Sequence, residues 1–275
     1  MSPALKTLQL KARYQVYTLL AGNHLSRMHG EGYDFSELRE YQIGDDVRKI
    51  NWTVTAKLGR PYIKELHANR ELSVVAAAIM DGSLYFGEGN LKQEKITEIA
   101  AILGYSAQHN SDLFTGFNFH SGTHTVTPPT KQLFPIEQFS KEIYEQELLH
   151  TTLDYTRVVQ TLFTQVYKRS LLFIIGDFLE PIDLSLLAQK HEVIAIIVRH
   201  REEEHPKSLG EAVLDNPHSN QSLNTCFGTS SIRNYLAKLQ AHDETLNAHF
   251  MKYGIRHTKI FTDEAPAEKL ARLFT

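Results

Sequence analysis

The chain has 275 residues, 42% hydrophobic and 22% charged, with a formal net charge of −3. That length and balance make one large or two smaller globular domains and exclude a disordered chain. The charge speaks against a dedicated nucleic-acid binder, and Cys226, the single cysteine, excludes an internal disulfide or a thiolate metal cluster.

Leu8, Ala12, Val16 and Leu19 follow helical spacing, and Gly22 is placed to stop that helix. From Gly30 to Asp46 the chain is polar and punctuated by glycine and aspartate, which predicts turns. A short helical piece around Val47 to Trp52 and an extended segment from Pro61 to Leu66 follow. The pattern then changes to strands alternating with helices. Leu72 to Met80 is an apolar run suited to a strand covered on both faces, and Ile96, Ile99, Ala100 and Leu103 form a helical stripe. Leu113 to Phe119 and Thr123 to Thr127 read as strands joined at Ser121-Gly122, with Pro128-Pro129 ending the second. Val159, Leu162, Phe163 and Val166 mark a helix leading into the strand Leu171 to Ile175, and Glu192 to Val198 is another buried strand. His200 to Asn224 is polar and predicts irregular chain. Ile232, Tyr235, Leu236 and Leu239 open a long helix, followed by a strand from Ile255 to Phe261 and a helix from Ala267 to Phe274. Such alternation implies an α/β fold: a doubly wound, mostly parallel sheet with helices on both faces. The change of character divides the chain into an N-terminal segment, 1–69, packed on a main domain, 70–275.

No apolar run approaches the roughly 20 residues that span a bilayer as a helix. The N-terminus also lacks the basic, apolar and small-residue pattern of a secretory signal. These features predict a cytoplasmic chain without a transmembrane segment.

The N-terminal segment carries a spaced signature: Gly30, Gly32, Asp34 and Phe35, then Arg39, Tyr41, Gly44, Asp45, Asp46, Arg48, Ile50, Asn51 and Trp52, then Thr55-Ala56-Lys57. Gly22, His24 and Ser26 precede it. This pattern resembles that of the bacterial domain of unknown function 58 family, and the likeness runs more loosely to about residue 200. The resemblance implies a von Willebrand factor A-like domain with an N-terminal elaboration. It also implies a MoxR-type AAA+ ATPase as partner, because many relatives are encoded beside one. Many relatives carry N-terminal membrane helices, which this sequence lacks.

Domains of that type hold a metal-ion-dependent adhesion site, in which three loops supply an Asp-x-Ser-x-Ser set, a threonine and an aspartate. The resemblance maps it onto Asp81 and Ser83, Thr151 (or its neighbour Thr152) and Asp177, with Tyr85 in place of the second serine. Mg²⁺ is the cofactor such a set would take, since it accepts one or two carboxylates while keeping several waters. Asp81 and Asp177 serve equally well as caps of the turns that follow their strands. The pair Asp45 and Asp46 with Arg48 reads either as a partner-binding surface or as a hydrogen-bonded turn locking the segment in place.

His120 and His124 have the spacing of a two-histidine metal site, but that geometry needs a helix and Gly122 lies between them. The basic residues Arg48, Lys49, Lys57, Arg60, Lys64 and Arg70 are interspersed with acids, as on a solvated mixed surface. The expected function is a non-enzymatic protein-interaction module, Mg²⁺-assisted or not, working with the ATPase on other complexes. The alternatives are a Mg²⁺-dependent phosphohydrolase with Asp81 as nucleophile, and nucleic-acid binding through the basic N-terminal segment.

Overall fold

The computed structural model of the protein describes residues 2–21, 37–42, 45, 47, 50–65, 71–86 and 91–273. It opens with a helix, α1 (Pro3–Ala21), that buries Leu5, Ala12 and Val16 and exposes Tyr14 and Tyr17. A small unit follows, made of β1 (Glu37–Glu40), α2 (Trp52–Leu58) and β2 (Tyr62–Glu65), with β1 and β2 antiparallel. Turns were expected over β1; the strand forms there because β2 offers it a partner, with Leu38 opposite Lys64 and Arg39 opposite Ile63. The helix also begins where one was expected to end. Asn51 is its N-cap, its side chain accepting from Val54 N at 3.4 Å, and Gly59 closes it at φ 70°.

The main body is built on β3 (Ser73–Met80), β4 (Leu113–His120), β5 (Thr123–Thr130), β6 (Leu171–Gly176), β7 (Glu192–Arg199) and β10 (Arg256–Phe261). They form one sheet in the order β10-β7-β6-β3-β4-β5, parallel throughout except for the edge strand β5. The sheet is sandwiched by helices. Along β3, Val74, Ala76, Ala78 and Met80 feed one core with α1, α3 (Leu91–His109), α4 (Leu133–Glu145) and α9 (Pro266–Arg272). Val75, Ala77 and Ile79 feed the other, with α5 (Tyr155–Gln165), α6 (Ser185–Ala188) and α8 (Thr229–Tyr253). The two-residue alternation of a strand, apolar at every position, is what a sheet buried on both faces demands. The mixed α/β architecture with a mostly parallel, helix-flanked sheet is therefore as expected.

Two local expectations need correction, and one helix was not anticipated. β5 continues through Pro128 and Pro129 to Thr130, because it is an edge strand and its register against β4 shifts between Phe114 and Gly116, leaving room for residues that donate no N–H. The polar stretch after β7 is ordered into a short helix, α7 (Arg201–Glu204), and a hairpin of β8 (Gly210–Asp215) with β9 (Ser222–Phe227). The helix α4, which no stripe singled out, packs Ile136, Phe139 and Ile143 into the first core.

Candidate functional site at the carboxyl edge of the sheet

In the chain order of its own six strands the sheet reads 6-5-4-1-2-3, so its winding reverses between β3 and β6. Open α/β sheets bind ligands outside the carboxyl ends of the strands at such a reversal. Asp81 directly follows β3 and Asp177 directly follows β6, and these neighbouring strands run parallel with Ala78 opposite Ile175. Their register brings the two aspartates to the same edge, 1% and 2% exposed.

Both aspartates cap their loops, as one reading of the sequence expected. Asp81 Oδ1 accepts from Ser83 N at 3.0 Å, closing the 3-10 turn Gly82–Leu84, and Asp177 Oδ1 accepts from Leu179 N at 3.3 Å. They also meet through Ser83, whose Oγ lies 2.5 Å from Asp81 Oδ1 and 2.5 Å from Asp177 Oδ2. A hydroxyl has one proton to donate, so one of these contacts requires a protonated carboxyl. Burial, and after it the charge of Asp177, push Asp81 above the usual carboxylate range. Burial is also the largest single influence on Asp177 and pulls it upward, but Lys92, Ser83 and Arg199 together hold it below that range. Of the two carboxyls Asp81 is thus the one that holds a proton more readily, and Ser83 Oγ bridges it to Asp177. The Tyr155 hydroxyl, at the start of α5, donates to Asp81 Oδ2 at 2.8 Å.

The counter-charge comes from residues that sequence reasoning missed. Lys92, in the first turn of α3, is 1% exposed and donates to Asp177 Oδ2 at 3.0 Å and to Glu203 Oε1 at 2.7 Å. Glu203 is 2% exposed; its other oxygen accepts from His200 N at 2.7 Å, which fixes the carboxylate to the start of α7. Arg199, fully buried at the end of β7, donates to Asp243 at 3.1 Å and to the Phe178 carbonyl at 3.5 Å. Phe178 follows Asp177 at φ 52°, a conformation that strains a bulky side chain. His242 Nε2 lies 2.7 Å from the same carbonyl, so α8 and β7 jointly hold the loop.

Thr151 reaches the edge, but its hydroxyl turns away and donates to the Leu148 carbonyl at 2.6 Å. Its own carbonyl accepts from Gly82 N at 3.1 Å. The tip of the β8–β9 hairpin closes over this point: Pro217 O accepts from His150 N at 2.8 Å, and His218 Nδ1 lies 3.1 Å from Thr151 O. A Cβ on Gly82 would fall 2.1 Å from Pro217 O, so this position tolerates only glycine without movement of the hairpin. Tyr85 ends the turn, 41% exposed.

Of the four residues mapped for Mg²⁺, Asp81, Ser83 and Asp177 converge and the Thr151 hydroxyl does not. Asp177 Oδ2, the oxygen nearest Ser83, already accepts from both Ser83 and Lys92. Among the described residues no group of three or more His, Cys, Asp or Glu is arranged to hold a metal ion. As arranged, these residues do not fit Mg²⁺. His120 and His124 also fail to converge: His124 stands opposite Phe119 in the hairpin, which places His120 on the other face.

Within the signature, Gly30, Gly32, Asp34, Phe35, Gly44, Asp46 and Arg48 lie outside the described residues. Arg39 is a β1 residue, and Tyr41 N donates to Pro61 O at 2.8 Å. Asp45 forms a hydrogen-bonded turn, its Oδ2 accepting from Gln42 N at 2.8 Å. Asn51 caps α2, and Trp52 projects outward, 69% exposed.

Relatives and solved structures add three findings. Uncharacterized proteins of Mycobacterium tuberculosis (Rv1480) and Mycobacterium bovis (Mb1516) are each 27% identical over 234 residues, 80% of this chain and 71% of theirs. The conserved hypothetical protein BatB from Bacteroides thetaiotaomicron is similar in structure at 10% identity, covering 74% of this chain and 96% of its own, with a TM-score of 0.42. An aerotolerance-related membrane protein from Bacteroides fragilis matches at 10% identity over 74% and 96%, TM-score 0.40, and a membrane-spanning protein from Vibrio fischeri at 12% over 74% and 95%, TM-score 0.21.

The expectation of a cytoplasmic chain is corrected here, since two of these three structures are of proteins described as membrane proteins. What stands for this chain is narrower: among the described residues no helix is long and apolar enough to cross a membrane. The family of Proteins of unknown function DUF58 matches residues 37–245, from β1 into α8, and the chain belongs to it.

Proposed function

We propose that this protein is a non-enzymatic interaction module of the von Willebrand factor A-like type, presenting the carboxyl edge of its sheet to a protein partner. The observation that carries the reading is the sealing of that edge: Asp81, Asp177, Lys92 and Glu203 are 1–2% exposed, Lys92 joins Asp177 to Glu203, and Ser83 joins Asp81 to Asp177. A nucleophile must reach its substrate, whereas both Asp81 oxygens are engaged, by Ser83 and by Tyr155. A rigid charged network beneath a rim of loops suits a surface that must hold one shape. Tyr85 is the exposed aromatic residue on that rim, and interfaces favour such residues. The von Willebrand-type reading is supported by the 3-2-1-4-5-6 winding with an antiparallel edge strand.

The partner we propose is a MoxR-type AAA+ ATPase, on the strength of the family resemblance. The test is direct titration of the purified chain with such an ATPase from the same genome, with and without nucleotide. Saturable binding, weakened about tenfold or more by Tyr85→Glu with the melting temperature unchanged, is the expected result. No binding in any nucleotide state, or binding indifferent to Tyr85→Glu, would overturn the assignment of this face. Trp52→Ala in the same titration tells whether the N-terminal unit forms a second contact.

A further inference from the structure

We infer that the Lys92 ammonium takes the place of a metal ion at this edge, so that the site is balanced from within and takes no divalent cation. Lys92 reaches in from the first turn of α3, an end of the helix where the macrodipole disfavours a cation. It is held there by two buried carboxylates, Asp177 at 3.0 Å and Glu203 at 2.7 Å. A buried ammonium needs such partners for its N–H groups and its charge. Glu203 in turn is oriented by the amide of His200.

The donor atoms leave little room for a second cation. Asp177 Oδ2 spends both lone pairs on Ser83 and Lys92, and its Oδ1 accepts from Leu179 N. Asp81 accepts from the amide of Ser83 and the hydroxyl of Tyr155. The Thr151 hydroxyl is committed to Leu148 O. A divalent ion on Asp177 would sit one oxygen away from the ammonium, and like charges so close repel strongly in a water-poor site. The positions of the aspartates and the serine thus survive while the cation is supplied by the chain. It follows that a partner's carboxylate cannot be captured through a metal here; recognition falls to the rim.

The inference concerns the site named in the interaction reading but does not require the ATPase. Its failure appears as metal binding, and the failure of the other as absent ATPase binding. The test is calorimetric titration of the full chain with Mg²⁺ and Mn²⁺, joined to Mn²⁺ broadening of the Gly82, Ser83 and Leu179 amide signals. The wild type is expected to give no saturable heat at millimolar metal and no selective broadening. Saturable binding that is lost in Asp177→Asn would overturn the inference. The double variant Lys92→Met/Glu203→Gln removes the ammonium together with its second partner. It is expected to bind Mn²⁺ about tenfold or more tightly than wild type, with broadening at Ser83. A folded double variant that gains no binding would show that Lys92 is not what closes the site. If that variant does not fold, wild-type melting decides: a Mg²⁺-dependent rise in Tm overturns the inference, and an unchanged Tm upholds it.

Discussion

One turn of helix, α7, carries two kinds of ion pair that differ in almost everything but address. Glu203 points inward to Lys92, and the pair is 2% and 1% exposed. Arg201, two residues earlier, points outward to Asp263, and that pair is 49% and 56% exposed. The outer pair exchanges water for protein at little net gain, because solvent screens it and two long side chains lose freedom. The inner pair was removed from water at a large cost that only its full set of partners offsets. The difference teaches that breaking one member matters far more inside than outside, even where the bond lengths are alike.

The comparison is sharpened most by Lys92→Met, which leaves Asp177 and Glu203 buried without their shared cation. We expect a loss of about 3–5 kcal/mol in urea-monitored unfolding, the usual cost of breaking a buried pair. Gly82→Ala comes next. Its methyl group would collide with the backbone of Pro217, and displacing the hairpin tip should cost about 1–3 kcal/mol by the same measurement. A variant of unchanged stability would mean that the hairpin is not seated on the site.

Asp81→Asn tests the proton. The folded state binds a proton on Asp81 more tightly than the unfolded chain does, because burial and Asp177 raise its pKa. Its stabilising contribution is therefore complete below the unfolded pKa and lost as pH rises through the folded one. Asp177, held below its ordinary value, behaves oppositely, contributing above the unfolded pKa and losing that contribution as pH falls. Thermal melting of Asp81→Asn against wild type should shift in favour of the variant as pH rises above the unfolded value of about 4. Asp177→Asn should instead gain on wild type as pH falls below about 4, and parallel curves for Asp81→Asn and wild type would show that the Asp81 pKa is not raised. The smallest effect is expected from Arg201→Ala, for which calorimetric melting should show no resolvable change; a clear drop would erase the contrast drawn on α7.

These residues were unequally legible in the sequence. Asp81 and Asp177 announce themselves because each directly follows a run of apolar residues that can only be a buried strand. Ser83 was reached only through the resemblance to the Asp-x-Ser-x-Ser pattern. Lys92 looks like any polar residue at the start of a helix, and its partners lie 85 and 111 positions away. No local pattern encodes such a distance. Arg199 offered a faint signal, a charged residue ending an apolar strand. The β8–β9 hairpin was hidden for a different reason. Its side chains are mostly exposed, so burial imposed no alternation, although Asn216-Pro217-His218-Ser219 at its tip is turn-like. The same logic covers β1, whose pairing depends on a strand more than twenty residues downstream.

The prolines of β5 carry a consequence for how copies of this molecule meet. A strand at the rim of a sheet is a template on which another chain can lay itself, and native sheets guard against it. Pro128 and Pro129 offer no N–H to such a visitor, and the irregular register beside them bends the rim away from a straight ladder. Growth of the sheet is blocked on that flank. The other edge of this six-stranded sheet is β10, where Arg256 and Lys259 already pair with Glu192 and Glu204. A concentrated solution of this protein should therefore resist ordered aggregation through β5 for as long as the native fold holds.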